Sequence, residues 1–122
     1  MSGGARGLGF TVAEGMLEHG LSKVALLDVD ANEGSKAVEL LRSRFGGREN
    51  DIVFKVLDVI NAEQVSQVIQ EVATLFGRID VLTTFAGIVN SIRAVDYTPE
   101  MFRKICDVNT TGTFLTAQAV GQ

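Results

Sequence analysis

The stretch Ser2 to Gly9, Ser-Gly-Gly-Ala-Arg-Gly-Leu-Gly, constrains this chain more than any other. Gly3, Gly7 and Gly9 stand at the spacing of a turn that must enter left-handed backbone space and let another group approach its main chain, which Cβ atoms would prevent. Phe10, Ala13, Met16 and Leu17 then recur on one helical face, so the pattern predicts a helix opening directly from the glycines. The free amides of its first turn and the positive end of its dipole point back at the loop, which is the geometry of an anion site. Such a loop ordinarily follows a buried strand, and here only Met1 precedes it. Taken alone, the motif stays open between a phosphate-binding turn and an ordinary glycine-rich turn.

Lys23 to Asp28, Lys-Val-Ala-Leu-Leu-Asp, is a short apolar burst ending in an acid, the pattern of a buried parallel strand. Asp28 lies 19 positions after Gly9, near the spacing at which a carboxylate accepts hydrogen bonds from adenosine ribose hydroxyls. The same charge repels a 2′-phosphate, so Asp28 points to NAD ahead of NADP. Arg6 in the loop argues the other way, because a guanidinium offers such a phosphate a partner. Helix capping is the alternative role for Asp28, although Asp30, with Glu33 three residues on, is better placed for it.

A second helix is expected from about Ala31 to Phe45, with Gly34, Val38, Leu41 and Phe45 on one stripe and Gly46-Gly47 as its stop. A polar turn and a β-type run, Ile52 to Leu57, follow, with Asp58 directly after. Asn61 with Gln64 opens a third helix, whose Val65, Val68, Ile69, Val72 and Phe76 form a core stripe that Gly77 ends. Arg78 to Phe85 is expected to be a further strand, finishing at Ala86-Gly87. Thr98-Pro99-Glu100 starts a last helix running to the C-terminus, with a hydroxyl N-cap and proline at the first helical position. Strand and helix thus alternate three units deep, which implies a parallel sheet covered by helices on both faces. The expectation is one α/β domain over residues 1–122, a three-layer, doubly wound, Rossmann-type fold.

Three stretches together carry a resemblance. Ser2-Gly3-Gly4-Ala5-Arg6-Gly7-Leu8-Gly9 fits the pattern [Ser/Thr]-G-x-x-x-G-x-G, Ala86-Gly87-Ile88 closes a strand, and Asp107-Val108-Asn109-Thr110-Thr111-Gly112-Thr113-Phe114 places an Asn inside a helix, where it is intrinsically disfavoured. In this order, over essentially the whole chain, they resemble the short-chain dehydrogenase/reductase family. The resemblance implies that Gly3, Gly7, Leu8 and Gly9 face a pyrophosphate, that Asp58-Val59 meets an adenine, and that Ala86 and Gly87 let a cofactor lie against the backbone. It further implies that Asn109 holds a water of a proton-relay chain. Read from the residues alone, Asp58 is equally a loop acid and Asn109 equally an Asn tolerated by packing. Thr84-Phe85 stands where the family commonly has Asn-Asn, so an amide that braces the sheet is replaced by a ring.

The activity implied is NAD(P)-dependent hydride transfer between a small-molecule alcohol and a ketone. The family's chemistry also uses a Ser and a Tyr-x-x-x-Lys pair, in which the lysine lowers the pKa of the phenol that transfers the proton. The single tyrosine here, Tyr97, has Met101 four positions on. The fold is therefore expected to be cut short at both ends, with its first strand reduced to Met1. The competing expectation is a catalytically dead nucleotide-binding or interaction module that pairs with full-length relatives, or with itself, through the last helix, where Ile105, Val108, Phe114 and Leu115 would lie uncovered.

Other classes find no support. The net charge is −4 with basic residues scattered singly, so no nucleic-acid partner is expected. No apolar run approaches bilayer length, and the start has no charged segment followed by an apolar one, so the expected compartment is the cytoplasm. Cys106 is the single cysteine, which leaves neither a disulfide nor a metal cluster and reads as a buried helix residue. His19, just before Gly20, reads as a helix-end residue and not a ligand.

Overall fold

The computed structural model describes residues 1–122 except Gly47 and Glu49, so the expected stop at Gly47 lies outside the described residues. The elements alternate as the sequence pattern requires: α1 (Gly7–Glu18), β1 (Val24–Asp28), α2 (Ala31–Phe45), β2 (Ile52–Val56), α3 (Ala62–Phe76), α4 (Pro99–Cys106) and α5 (Gly112–Val120). β1 and β2 pair in parallel, in a register running from Val24 opposite Ile52 to Asp28 opposite Val56.

Why these stretches take these forms is visible at their ends. Asp30 caps α2, its side chain accepting from the amides of Asn32 and Glu33; Asn61 caps α3 through the Gln64 amide and Thr98 caps α4 through the Met101 amide. Each supplies an acceptor to a first-turn N–H that has no partner inside its helix. Gly77, at φ +85°, ends α3 in the left-handed conformation. His19 closes α1, with its Nδ1 2.7 Å from the Gly15 carbonyl oxygen.

β1 is buried along its whole length, whereas β2 is fully buried only at Ile52 and is exposed at Val56, and the side chains of β1 divide between two cores. Val24 and Leu26 join Ala13 and Leu17 of α1, Val38 and Leu41 of α2, and Ile52. Ala25 and Leu27 face the other way, onto Leu57, Val59 and the α3 stripe Val65, Val68, Ile69 and Val72. This is the three-layer α/β sandwich that the alternation predicted. Leu26 and Leu41 are fully buried, and removing each from water contributes about 2 kcal/mol.

Two expectations are corrected. Arg78 to Phe85 does not form a strand; Thr84 alone makes a parallel bridge, to Ser2, which in turn bridges Leu27. A ladder needs consecutive pairs on a neighbour, and the neighbour here leaves the sheet one residue later, at Gly3 with φ +65°. The spatial order is nevertheless β2, β1, Ser2, Thr84, so the N-terminal residues sit between β1 and the later segment, as in a doubly wound sheet.

The second correction concerns the last helical stretch. It is interrupted between α4 and α5 by a π-helical segment, Asp107–Thr111. Of its four residues expected to be uncovered, Phe114 is exposed and Ile105 half-buried, whereas Val108 and Leu115 pack on the α3 core. They can do so because Gly112 admits close contact: a Cβ there would lie 2.5 Å from Val59 Cγ2. Cys106 is half-buried, not buried. No described helix is long and apolar enough to cross a membrane.

Candidate nucleotide site

The parallel topology brings the singled-out segments to one edge of the sheet, beyond the carboxyl ends of the strands. Asp28 is the last residue of β1, Asp58 follows β2 by two positions, the glycine loop leaves the sheet after Ser2, and Phe85 to Gly87 follow the Thr84 bridge. In open α/β sheets this edge is where ligands bind.

The glycines of the loop have separate tasks. A Cβ on Gly3 would stand 2.4 Å from the Ala86 nitrogen and 2.5 Å from the Phe85 carbonyl carbon, so the loop lies directly on that backbone. A Cβ on Gly9 would stand 2.1 Å from the Gly3 oxygen, so the first turn of α1 closes onto the start of the loop. Gly7, at φ +55°, has nothing within 4 Å of its Cβ position; its glycine is required by conformation, and its face is open.

α1 differs from α2, α3 and α4 at its start. Arg6 holds the N-cap position in extended conformation, without a side-chain hydrogen bond to the first turn, and that turn contains no acid. The first amides of α1 and the positive end of its dipole therefore remain available to an anion. Leu8, in the same turn, is exposed. These are the features by which a helix start holds a phosphate, so the loop residues fit a dinucleotide.

Asp28 is nearly buried, and both of its oxygens are engaged. Oδ2 accepts from the Ala5 amide at 3.3 Å and Oδ1 from the Asp30 amide at 3.3 Å. The carboxylate thus ties the glycine loop to the start of α2, and each oxygen keeps a further lone pair for a hydroxyl. Capping of α2 falls to Asp30, the division of labour expected from the sequence. Arg6 is exposed, with a guanidinium nitrogen 3.9 Å from Asp30 Oδ2. Asp58 is half-buried; its Oδ1 accepts from the Ile60 amide at 3.1 Å, and its own amide donates to Gln64 Oε1 at 2.9 Å.

Asn109 lies in the π-helical segment and grips Ile88 at two points. Its Oδ1 accepts from the Ile88 amide at 2.9 Å and its Nδ2 donates to the Ile88 carbonyl at 3.0 Å. Gly87 leaves room for this clamp, since a Cβ there would already be 3.4 Å from Asn109 Oδ1. Phe85 is partly exposed, and its amide donates to the Ser2 carbonyl at 2.9 Å. Sequence reasoning missed two members of this constellation, the Ala5 amide and the main chain of Ile88. Both act through backbone groups, which carry no residue-type signal. Among the described residues no group of His, Cys, Asp and Glu side chains could hold a metal ion.

Comparison with known proteins agrees with this geometry. The family model described as enoyl-(acyl carrier protein) reductase matches residues 3–122. The chain is 33% identical to the 3alpha-hydroxysteroid dehydrogenase of Mediterraneibacter gnavus, across all of this chain and 48% of that protein. It is 30% identical to the NAD-dependent glycerol dehydrogenase of Listeria innocua, across all of this chain and 45% of that one. Among solved structures, the alcohol dehydrogenase of Thermococcus sibiricus complexed with 5-hydroxy-NADP superimposes with a TM-score of 0.88 at 27% identity, covering 98% of this chain and 49% of that one.

The fold is of the α/β Rossmann-like class, and the chain belongs to the short-chain dehydrogenase/reductase family. It spans about half the length of the curated relatives it matches.

Proposed function

We propose that this chain binds NAD, in preference to NADP, along the carboxyl edge of its sheet, and that the reaction served is hydride transfer between a small-molecule alcohol and a ketone. The observation that carries the reading is the pairing of an uncapped α1 start with the Asp28 carboxylate, joined through Ala5. The loop around Gly3, Gly7, Leu8 and Gly9 receives the pyrophosphate, Asp28 receives the adenosine ribose and disfavours a 2′-phosphate, and Asp58 lies on the adenine side. Ala86 and Gly87 provide a flat backbone surface, and Asn109 keeps that surface in place by holding Ile88. A bound nicotinamide supplies the hydride chemistry itself.

The residues of this chain bind and orient. The Tyr-x-x-x-Lys pair that moves the proton in this family is not among them, since Met101 follows Tyr97 at the lysine position. That observation favours a second reading, nucleotide binding without turnover by this chain alone. Calorimetric titration with NAD and NADP in parallel tests the first. NAD should bind at least about tenfold more tightly, the worth of one hydrogen bond to a charged group. Asp28→Asn, which keeps the shape and removes the charge, should erase that margin, with a melt without nucleotide as the control for folding. Tighter binding of NADP by the unsubstituted chain would refute the assignment of Asp28. Nucleotide binding without alcohol-dependent reduction of NAD would support the second reading.

A further inference from the structure

Arg6 and Asp28 make opposite demands on the adenosine end of a nucleotide, because a guanidinium offers a 2′-phosphate a partner and a carboxylate repels it. Both stand where the glycine loop meets the turn between β1 and α2, and that junction is tied twice. The Ala5 amide donates to Asp28 Oδ2 at 3.3 Å. One residue on, a guanidinium nitrogen of Arg6 lies 3.9 Å from Asp30 Oδ2.

Asp30 divides its two oxygens between two tasks. Oδ1 accepts from the amides of Asn32 and Glu33, at 3.1 and 3.0 Å, and so caps α2. Oδ2 is left to face the guanidinium. Glu33, the acid in the first turn of α2, is already engaged, since Lys36 holds its carboxylate at 2.7 Å. The junction thus sets one guanidinium between two carboxylates, Asp28 and Asp30, and the contact it makes is with Asp30. The Arg6 side chain is 67% exposed and the pair is long, so the contact biases the guanidinium without locking it.

We propose that Asp30 is a positioning residue that sets the choice of nucleotide through Arg6. It draws the guanidinium towards the start of α2 and so withholds from a 2′-phosphate the cation that the glycine loop would otherwise present. Discrimination against such a phosphate then has two parts, repulsion by Asp28 and diversion of Arg6 by Asp30. The inference rests on the nucleotide reading above and adds to it a residue whose evident task is a helix cap. Because the two tasks use different oxygens, they can be separated by substitution.

Asp30→Asn makes that separation, since asparagine caps a helix about as well as aspartate and only the charge is lost. Asp30→Ser, which also supplies a capping oxygen, is carried in parallel. Calorimetric titrations with NAD and with NADP are run on the unsubstituted chain, on each Asp30 variant, on Arg6→Gln and on the double variants, with melts without nucleotide as the control for folding. Loss of the Asp30 charge should tighten NADP binding about fivefold, the upper worth of an exposed ion pair, and leave NAD binding within about twofold. In the Arg6→Gln background the same change should alter NADP binding by less than about twofold, because no guanidinium is there to be released. Equal gains in both backgrounds would overturn the proposal, since Asp30 would then act on the phosphate by its own charge. So would binding of NAD with no gain for NADP when Asp30 is substituted. Binding of neither nucleotide by the folded, unsubstituted chain would overturn the nucleotide reading itself, and the proposal with it.

Discussion

Gly3 and Gly7 both adopt positive φ, +65° and +55°, yet their surroundings differ. At Gly7 an alanine meets no neighbour within 4 Å, so Gly7→Ala should lose only the conformational term, about 1–2 kcal/mol. At Gly3 the same change also drives a methyl into the Phe85–Ala86 backbone, which cannot rotate away as a side chain could. Gly3→Ala should therefore destabilise by more than about 2 kcal/mol and weaken nucleotide binding, whereas Gly7→Ala should affect binding more than folding. Urea unfolding of the two variants, with and without NAD, separates the cases; equal losses of stability would contradict this account. All three motif glycines were readable from spacing. That Gly7 answers a conformational need alone, Gly9 a backbone contact and Gly3 both was not readable, because the contacts come from residues remote in sequence or from the fold of the loop on itself.

At the scale of elements, helix boundaries were the most legible feature. Asp30, Asn61 and Thr98 are local signals, and each caps the helix its sequence announced. The break in the last helical stretch was not legible in detail. Asn109 was noticeable as an ill-suited helix residue, but its clamp on Ile88 joins positions 21 residues apart and depends on the register of two separate elements. Asn109→Ala removes two hydrogen bonds and should cost about 1–2 kcal/mol. It should also accelerate amide exchange at Ile88 while leaving Ala25 unchanged. A variant with unaltered exchange at Ile88 would show that the clamp is not formed in solution.

A second inter-element tie gives a pH signature. Lys55 of β2 donates to Glu71 of α3 at 2.8 Å, and Gln67 donates to the same carboxylate at 3.1 Å. The hydrogen bond from Lys55, then that from Gln67, then the charge of Lys55, hold the Glu71 carboxyl below its ordinary value of 4.5. A carboxylate with a lowered folded-state pKa contributes stability that is present above its unfolded value and lost as pH falls through the folded one. The stability of the chain should fall below pH 4.5, and Glu71→Gln should make that fall shallower. Denaturant midpoints measured across the acid range provide the check.

For the molecule as a whole, alternation of apolar strands with capped, amphipathic helices was enough to determine a three-layer α/β domain, because buried parallel strands and crossover helices each have a one-dimensional pattern. The chain by itself also carried the glycine loop, the division between Asp28 and Asp30, and the three stretches that mark the family. The tertiary structure decided what depends on lateral neighbours. It put Ser2 between β1 and Thr84, reduced the expected strand from Arg78 to Phe85 to a single bridge, and covered Val108 and Leu115 with the α3 core. It also engaged both Asp28 oxygens and clamped Asn109 on Ile88. The physical reason is common to all of these. Local pattern reports which face a residue buries and where an element starts, whereas strand pairing and backbone hydrogen bonds between distant segments arise only when the chain has folded back on itself.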